Sequence, residues 1–190
     1  MSVTGGYDLV GLLAGSVRRA HGESVSQLAH ALQCAARARH DRADDELVVA
    51  ALLHDVGHLV QSGGESPRHH HGSEGAAFVR PFVPPRVSWL VDHHVVAKRY
   101  LCTVDPRYVD GLSPASRRSY LAQGARLSLD EQLGLETHPW FGDALRVRRW
   151  DDAAKVPGEN CEPLIEYAPP LERYFGPQRW PAAPGIDGRP

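Results

Sequence analysis

His54, Asp55 and His58 lie in "AALLHDVGHLV", residues 50 to 60, an otherwise apolar run where a core segment would carry Leu or Val. Adjacent side chains on a helix diverge by about 100° around its axis, so His54 and Asp55 cannot clamp one ion as an i, i+4 pair would. They can instead place an imidazole on one metal and a carboxylate between that metal and a neighbour, because a carboxylate offers two oxygens. His58 follows His54 by four residues and shares its face, either as a further ligand or within reach of whatever the metal binds. Each residue alone has a blander use, capping a helix or meeting a buried carbonyl. Three together in an apolar helix point to a metal site, since burying polar and charged groups without a partner is costly.

Such a site draws further donors from other segments. The candidates are His30, the triplet His69, His70 and His71 ahead of "GSEGAAF", His93 or His94 in "DHHVVAKRYL", and Asp151 or Asp152 in "VRRWDDAAK". Nitrogen and oxygen donors without sulfur suit iron, manganese, zinc or nickel better than an iron–sulfur or structural zinc site.

The chain that must position these groups has 190 residues, the length of one compact domain that buries a core without disulfides. Its formal charge is -2, with acids and bases mixed. There is no basic stripe for nucleic acid and no polybasic block for a membrane surface, so the expected partners are small molecules. No run approaches the roughly 18 apolar residues of a membrane span. The first residues, "MSVTGGYDLVGLLAGSVRRAHGE", lack a basic region before the apolar patch and a small-residue cleavage site, so a cytoplasmic location is expected. Cys34, Cys102 and Cys161 are far apart and outside any CxxC, which reads as free thiols.

Helical periodicity runs from about residue 7 to 155, with no alternating β pattern, so the fold class is all-α. Ser24 and Gln27 read as a capping box opening a helix over about 25–39, with Leu28, Leu32 and Ala35 on one face. A second helix is expected over about 45–60, followed by loop to residue 72, a short helix stopped by Pro81, and a restart at Pro84–Pro85. Ser113 with Pro114, and "SLDE" at 128–131, open two more helices, and a last one occupies about 138–155. Proline then occurs eight times from Pro157 to Pro190. The expected organisation is therefore one helical bundle over 1–156 and an extended proline-rich tail over 157–190, packed on the bundle or partly disordered.

"GESVSQLAH", "LLHDVGHL", "HGSEGA", "HHVVAKRYL", "LSPAS" and "LRVRRWDDAAK" together resemble the HD-domain superfamily. Within it the resemblance is to the PhnZ-type branch, mixed-valent di-iron oxygenases of organophosphonate catabolism related to myo-inositol oxygenase. "HDVGH" is shared with many HD phosphohydrolases, whereas "HVVAKRYL", "RRWDDAAK" and "GESVSQL" are the selective elements. The resemblance implies an HD-type helical bundle holding two iron ions, Fe(II) and Fe(III). One would be held by His30, His54 and Asp151 and the other by His71 and His94, with Asp55 bridging. Among adjacent choices, His71 keeps the family's spacing to Gly75–Ala76, His94 leaves Lys98 one turn later on the same face, and Asp151 keeps the spacing to Arg148 and Lys155. His69, His93 and Asp152 then fall to loop, capping or ligand-orienting roles.

By the same resemblance Lys98, Ser116 and Arg148 would hold a phosphonate, a reading that suits an ammonium, a hydroxyl and a planar guanidinium. His58 and Glu23 would complete the pocket, with Glu23, His58 and Lys98 as the candidates for catalytic roles; Glu23 would meet a cationic substrate tail or, alternatively, a helix N-terminus. The implied reaction uses dioxygen as co-substrate to cleave the C–P bond of a 1-hydroxyalkylphosphonate, giving a carboxylic acid and inorganic phosphate. Some members carry a Tyr three residues before the glutamate that caps the iron; here that position is Ala20, beside His21, so no such cap is expected. Two other readings stand beside this one: an HD-type phosphohydrolase using two metals to activate water, and a catalytically silent helical binding module.

Overall fold

The computed structural model describes residues 8–18, 25–60 and 70–178. Among them all regular structure is helical and no β-strand occurs. The central element is α3 (Asp45–Leu53), "DELVVAALL", whose residues Leu47 to Leu53 are all buried. A helix that is apolar on every side must be surrounded, and α3 is packed by α2 (Gln27–His40), α6 (Pro85–Val104) and α10 (Phe141–Ala153). The short α1 (Leu9–Gly15) adds Leu9, Val10 and Leu13 to the same core.

Local signals set most starts. Asp44 caps α3 by accepting from Leu47 N–H at 2.9 Å. Ser113 caps α8 (Pro114–Ala122), and Ser128 with Glu131 forms a reciprocal capping box on α9 (Leu129–Glu136). For α2 the cap is Ser26, whose hydroxyl accepts from Ala29 N–H at 3.1 Å, so the helix begins two residues later than the box proposed from Ser24, which lies outside the described residues.

The helix expected over 45–60 is broken. After Leu53 the chain makes a turn at His54–Val56 and restarts as α4 (Gly57–Val60). The bonds across the break run from Val56 N–H to Leu53 O, His58 N–H to Asp55 O and Leu59 N–H to Val56 O, each three residues apart. A three-residue turn eclipses i with i+3 rather than i+4. His58 therefore leaves the face of His54 and joins that of Asp55, 3.9 Å from Asp55 Oδ1, which corrects the i, i+4 pairing read from the sequence.

Next, α5 (His71–Val79) packs closely on both α4 and α6. A Cβ on Gly57 would lie 1.9 Å from the backbone oxygen of His71, and one on Gly72 would lie 2.8 Å from that of Asp92. Glycine is required at both contacts, the first bringing the start of α5 against the HD turn and the second bringing it against α6. A five-residue helix, α7 (Pro106–Asp110), follows α6 and buries no residue completely.

Past α10 the chain is held rather than loose. Gln33 pairs with the backbone of Val156 in both directions, donating to its carbonyl at 2.7 Å and accepting from its N–H at 3.0 Å. Within the stretch expected to be an extended tail, the described residues include helix. Leu164–Tyr167 forms a 3-10 turn and Ala168–Phe175 forms α11, because Pro169 and Pro170 fall in a first turn, where proline's missing N–H costs nothing. Leu164, Tyr167, Leu171 and Phe175 join the main core, and Arg39 stacks over the Tyr167 ring at 4.2 Å. No helix among the described residues is long and apolar enough to cross a membrane. Cys34, Cys102 and Cys161 are free.

Candidate metal centre

Four elements and the broken turn aim side chains at one point between α2, α3, α5, α6 and α10. His30 comes from the first turns of α2, His54 and Asp55 from the turn after α3, His71 from the first position of α5, His94 from the middle of α6 and Asp151 from the end of α10. All six are buried.

They form two groups that share Asp55. On one side, His30 Nε2 lies 3.1 Å from His54 Nε2 and 3.3 Å from Asp151 Oδ1, and both imidazole nitrogens lie 3.7 Å from Asp55 Oδ2. On the other, His71 Nε2 and His94 Nε2 are 3.0 Å apart, each 3.4 Å from Asp55 Oδ1. One carboxylate thus sends each oxygen to a different pair of histidines, as the carboxylate-between-two-metals reading requires.

The chemistry of the donors fits cations. His30 Nδ1 donates to Ala154 O at 2.6 Å, His54 Nδ1 to Ala51 O at 2.8 Å and His94 Nδ1 to Val91 O at 2.7 Å. A carbonyl can only accept, so Nδ1 carries the proton and a neutral ring presents its Nε2 lone pair inward. Two such lone pairs about 3 Å apart repel one another unless a positive charge lies between them, and ligands about 2.0–2.2 Å from an ion sit at about that separation. The electrostatics agree. Burial opposes a charge on His54, but the Asp55 carboxylate, with Cys34 and Asp151, outweighs it and pushes His54 up to about 10, so a proton takes the place between the two Nε2 atoms wherever no metal ion competes for it. Burial alone would raise Asp151, yet Arg148 holds it well below the usual carboxylate range. The centre attracts positive charge.

Beside it lies a cluster of cationic side chains. Lys98, Ser116 and Arg148 are buried, at 4%, 8% and 3% exposure, so their polar atoms are held largely out of water. Lys98 Nζ donates to Ser119 Oγ at 2.7 Å. Lys155 Nζ donates to Ser116 Oγ at 3.0 Å and lies 3.8 Å from Asp151 Oδ1. Burial, together with nearby Arg148, drags Lys98 down to about 7. Lys155 and Ser119 escaped the sequence reading as pocket residues. The only sequence signal for Lys155 is its place one turn after Asp151, on the same helical face.

The remaining candidates divide clearly. His58 stacks on His71 with ring centroids 4.1 Å apart, at the partly open edge of the centre. His93 points away, stacked on Trp89 at 3.8 Å with Nδ1 donating to Trp89 O. It lines an open groove of about 700 Å³ between α5, α6, α8 and α9 that none of the six cluster residues touches. Asp152 turns to Arg148. Glu23, Ala20, His21 and His69 lie outside the described residues.

An all-helical bundle whose His-Asp turn supplies a shared carboxylate defines a known class, and the HD domain matches residues 18–124. The chain belongs to the HD-domain family. It is 42% identical over 156 residues to the hydroxymethylphosphonate dioxygenase of Gimesia maris, covering 79% of this chain and 78% of that one. It is 33% identical over 157 residues to the 1-hydroxy-2-(trimethylamino)ethyl phosphonate dioxygenase (glycine-betaine-forming) of Leisingera caerulea, covering 80% of each.

Proposed function

We propose that this protein is a di-iron oxygenase that cleaves the C–P bond of a 1-hydroxyalkylphosphonate with dioxygen. The observation that carries the reading is the division of Asp55 between two histidine pairs, beside a buried cluster of lysine, serine and arginine. The named activities of the two relatives support it. His30, His54 and Asp151 would hold one iron and His71 and His94 the other, with Asp55 common to both. The two ions, when bound, supply the redox chemistry that activates dioxygen.

The chain's own residues bind, orient and exclude water. Lys98, Lys155, Ser116 and Arg148 offer positive and hydroxyl donors to a phosphonate dianion, which would also supply the negative charge that the lowered Lys98 lacks. With the headgroup so held, C1 and its hydroxyl face the metal groups, an orientation that substitutes binding for a search in solution. Burial of the pocket keeps stray water from competing. His58, partly open to solvent, is placed to take or return a proton at the substrate's exposed side.

The reaction balances without an outside reductant: a 1-hydroxyalkylphosphonic acid and one dioxygen give a carboxylic acid and phosphoric acid, both oxygen atoms ending in products. Protein loaded with iron should therefore consume one dioxygen for each phosphate released from hydroxymethylphosphonate. Phosphate release without oxygen uptake would assign the site to hydrolysis, and a metal-loaded protein indifferent to every hydroxyphosphonate would remove the substrate class.

A further inference from the structure

Arg148 leaves α10 three residues before Asp151, and three of its five N–H groups are engaged. A guanidinium has five N–H groups in a planar fork. Nη1 donates to Asp151 Oδ2 at 2.6 Å, Nη2 donates to Asp152 Oδ1, and Nε is shared between Asp152 Oδ2 and the Tyr108 hydroxyl, both at 3.0 Å. Tyr108 in turn donates its own proton to Asp152 Oδ2. The phenol, carboxylate and guanidinium therefore close a ring in which every donor meets an acceptor, and one N–H on each terminal nitrogen of Arg148 remains for a ligand.

Two features say that this ring serves more than packing. Tyr108 sits on α7, which buries no residue completely, so the hydroxyl gives that helix a link to α10 that core contacts do not explain. Asp152 also lies 3.9 Å from Lys155 Nζ, close enough to the cationic cluster for its charge to repel an incoming dianion. A hydrogen bond from the phenol draws charge off Oδ2 and leaves the fork plane fixed.

We propose that Tyr108 is a positioning residue for anion binding, acting through Arg148: its hydroxyl closes the Asp152 clamp that aims the guanidinium and tempers the carboxylate's repulsion of a dianionic headgroup. The proposal rests on Arg148 facing the substrate anion. Its test therefore reads binding rather than turnover. Tyr108→Phe, Arg148→Lys and the double variant, each full length and metal-loaded, are titrated calorimetrically with inorganic phosphate and with hydroxymethylphosphonate, with metal content measured alongside. Losing one hydrogen bond to charged partners is worth about tenfold or more. Tyr108→Phe should thus weaken both anions about tenfold at undiminished metal content, yet by less than about twofold once Arg148 is lysine, because no fork is left to aim. An unchanged Kd in Tyr108→Phe, or the same loss in both backgrounds, overturns the proposal. Wild-type affinity in Arg148→Lys would sink both this proposal and the role given to Arg148. Clamp-dependent phosphate binding without oxygen uptake would support Tyr108 while retiring the oxygenase.

Discussion

Asp55 serves two neighbours with one side chain, Oδ2 toward His30 and His54 and Oδ1 toward His71 and His94. Asp55→Asn keeps the shape but removes the shared negative charge, so elemental analysis after dialysis should show both ions depleted. His94→Ala, by contrast, should deplete one. Lys98 gives a pH prediction. Burial, then Arg148, places it at about 7, so it is an ammonium below that pH and a neutral amine above it. Phosphate affinity should fall as pH rises through this region, and Lys98→Arg should lose the part of the decline that belongs to residue 98, because a guanidinium stays charged. A decline identical in both proteins would show that residue 98 is not the group whose titration weakens binding. At this scale much of the cluster was legible. Register separates His94, which faces the core, from His93, which faces Trp89. Lys155, Ser119 and Tyr108 were hidden because their partners Ser116, Lys98 and Arg148 lie 39, 21 and 40 residues away, and nothing local records that proximity.

Elements decide how accurately those side chains arrive. The apolar pattern of 45–60 announced a helix, and α3 follows it to Leu53. Periodicity says nothing of a break at His54–Val56, because the break depends on α5 lying against Gly57. That contact leaves no room for a methyl group: Gly57→Ala puts a Cβ 1.9 Å from the His71 carbonyl oxygen. Overpacking of this kind costs about 1–3 kcal/mol. The expected result is a lower Tm together with loss of metal from the His71 side, since α5 must retreat carrying its ligand. A variant that loses stability but keeps full metal content would show that His71 is not placed by this contact. The capped helices were legible for the opposite reason, since Ser113 and the Ser128–Glu131 box act within four residues. The five-residue α7 is too short to show a period.

On the scale of the whole molecule, proline misled. Proline content alone points to an extended tail, packed on the bundle or partly disordered, yet α11 uses two prolines to start and then sets Leu171 and Phe175 into the one core, with the helix against α3. Composition reports what a residue forbids inside a helix, not what it permits at the beginning. Leu171 is fully buried, so Leu171→Ala should cost about 2–5 kcal/mol in chemical denaturation. A loss under about 1 kcal/mol would show the tail to be an accessory rather than part of the cooperative unit.

The Gln33–Val156 pairing reaches further than its size. Val156 stands 45% exposed three residues past the end of α10, but its amide proton is locked into a side chain of α2 rather than a helical ladder. In deuterated solvent that proton should exchange slowly for so superficial a residue, and only when the two helices part. A single backbone signal at the surface would then time the opening of the helices that carry His30 and Asp151.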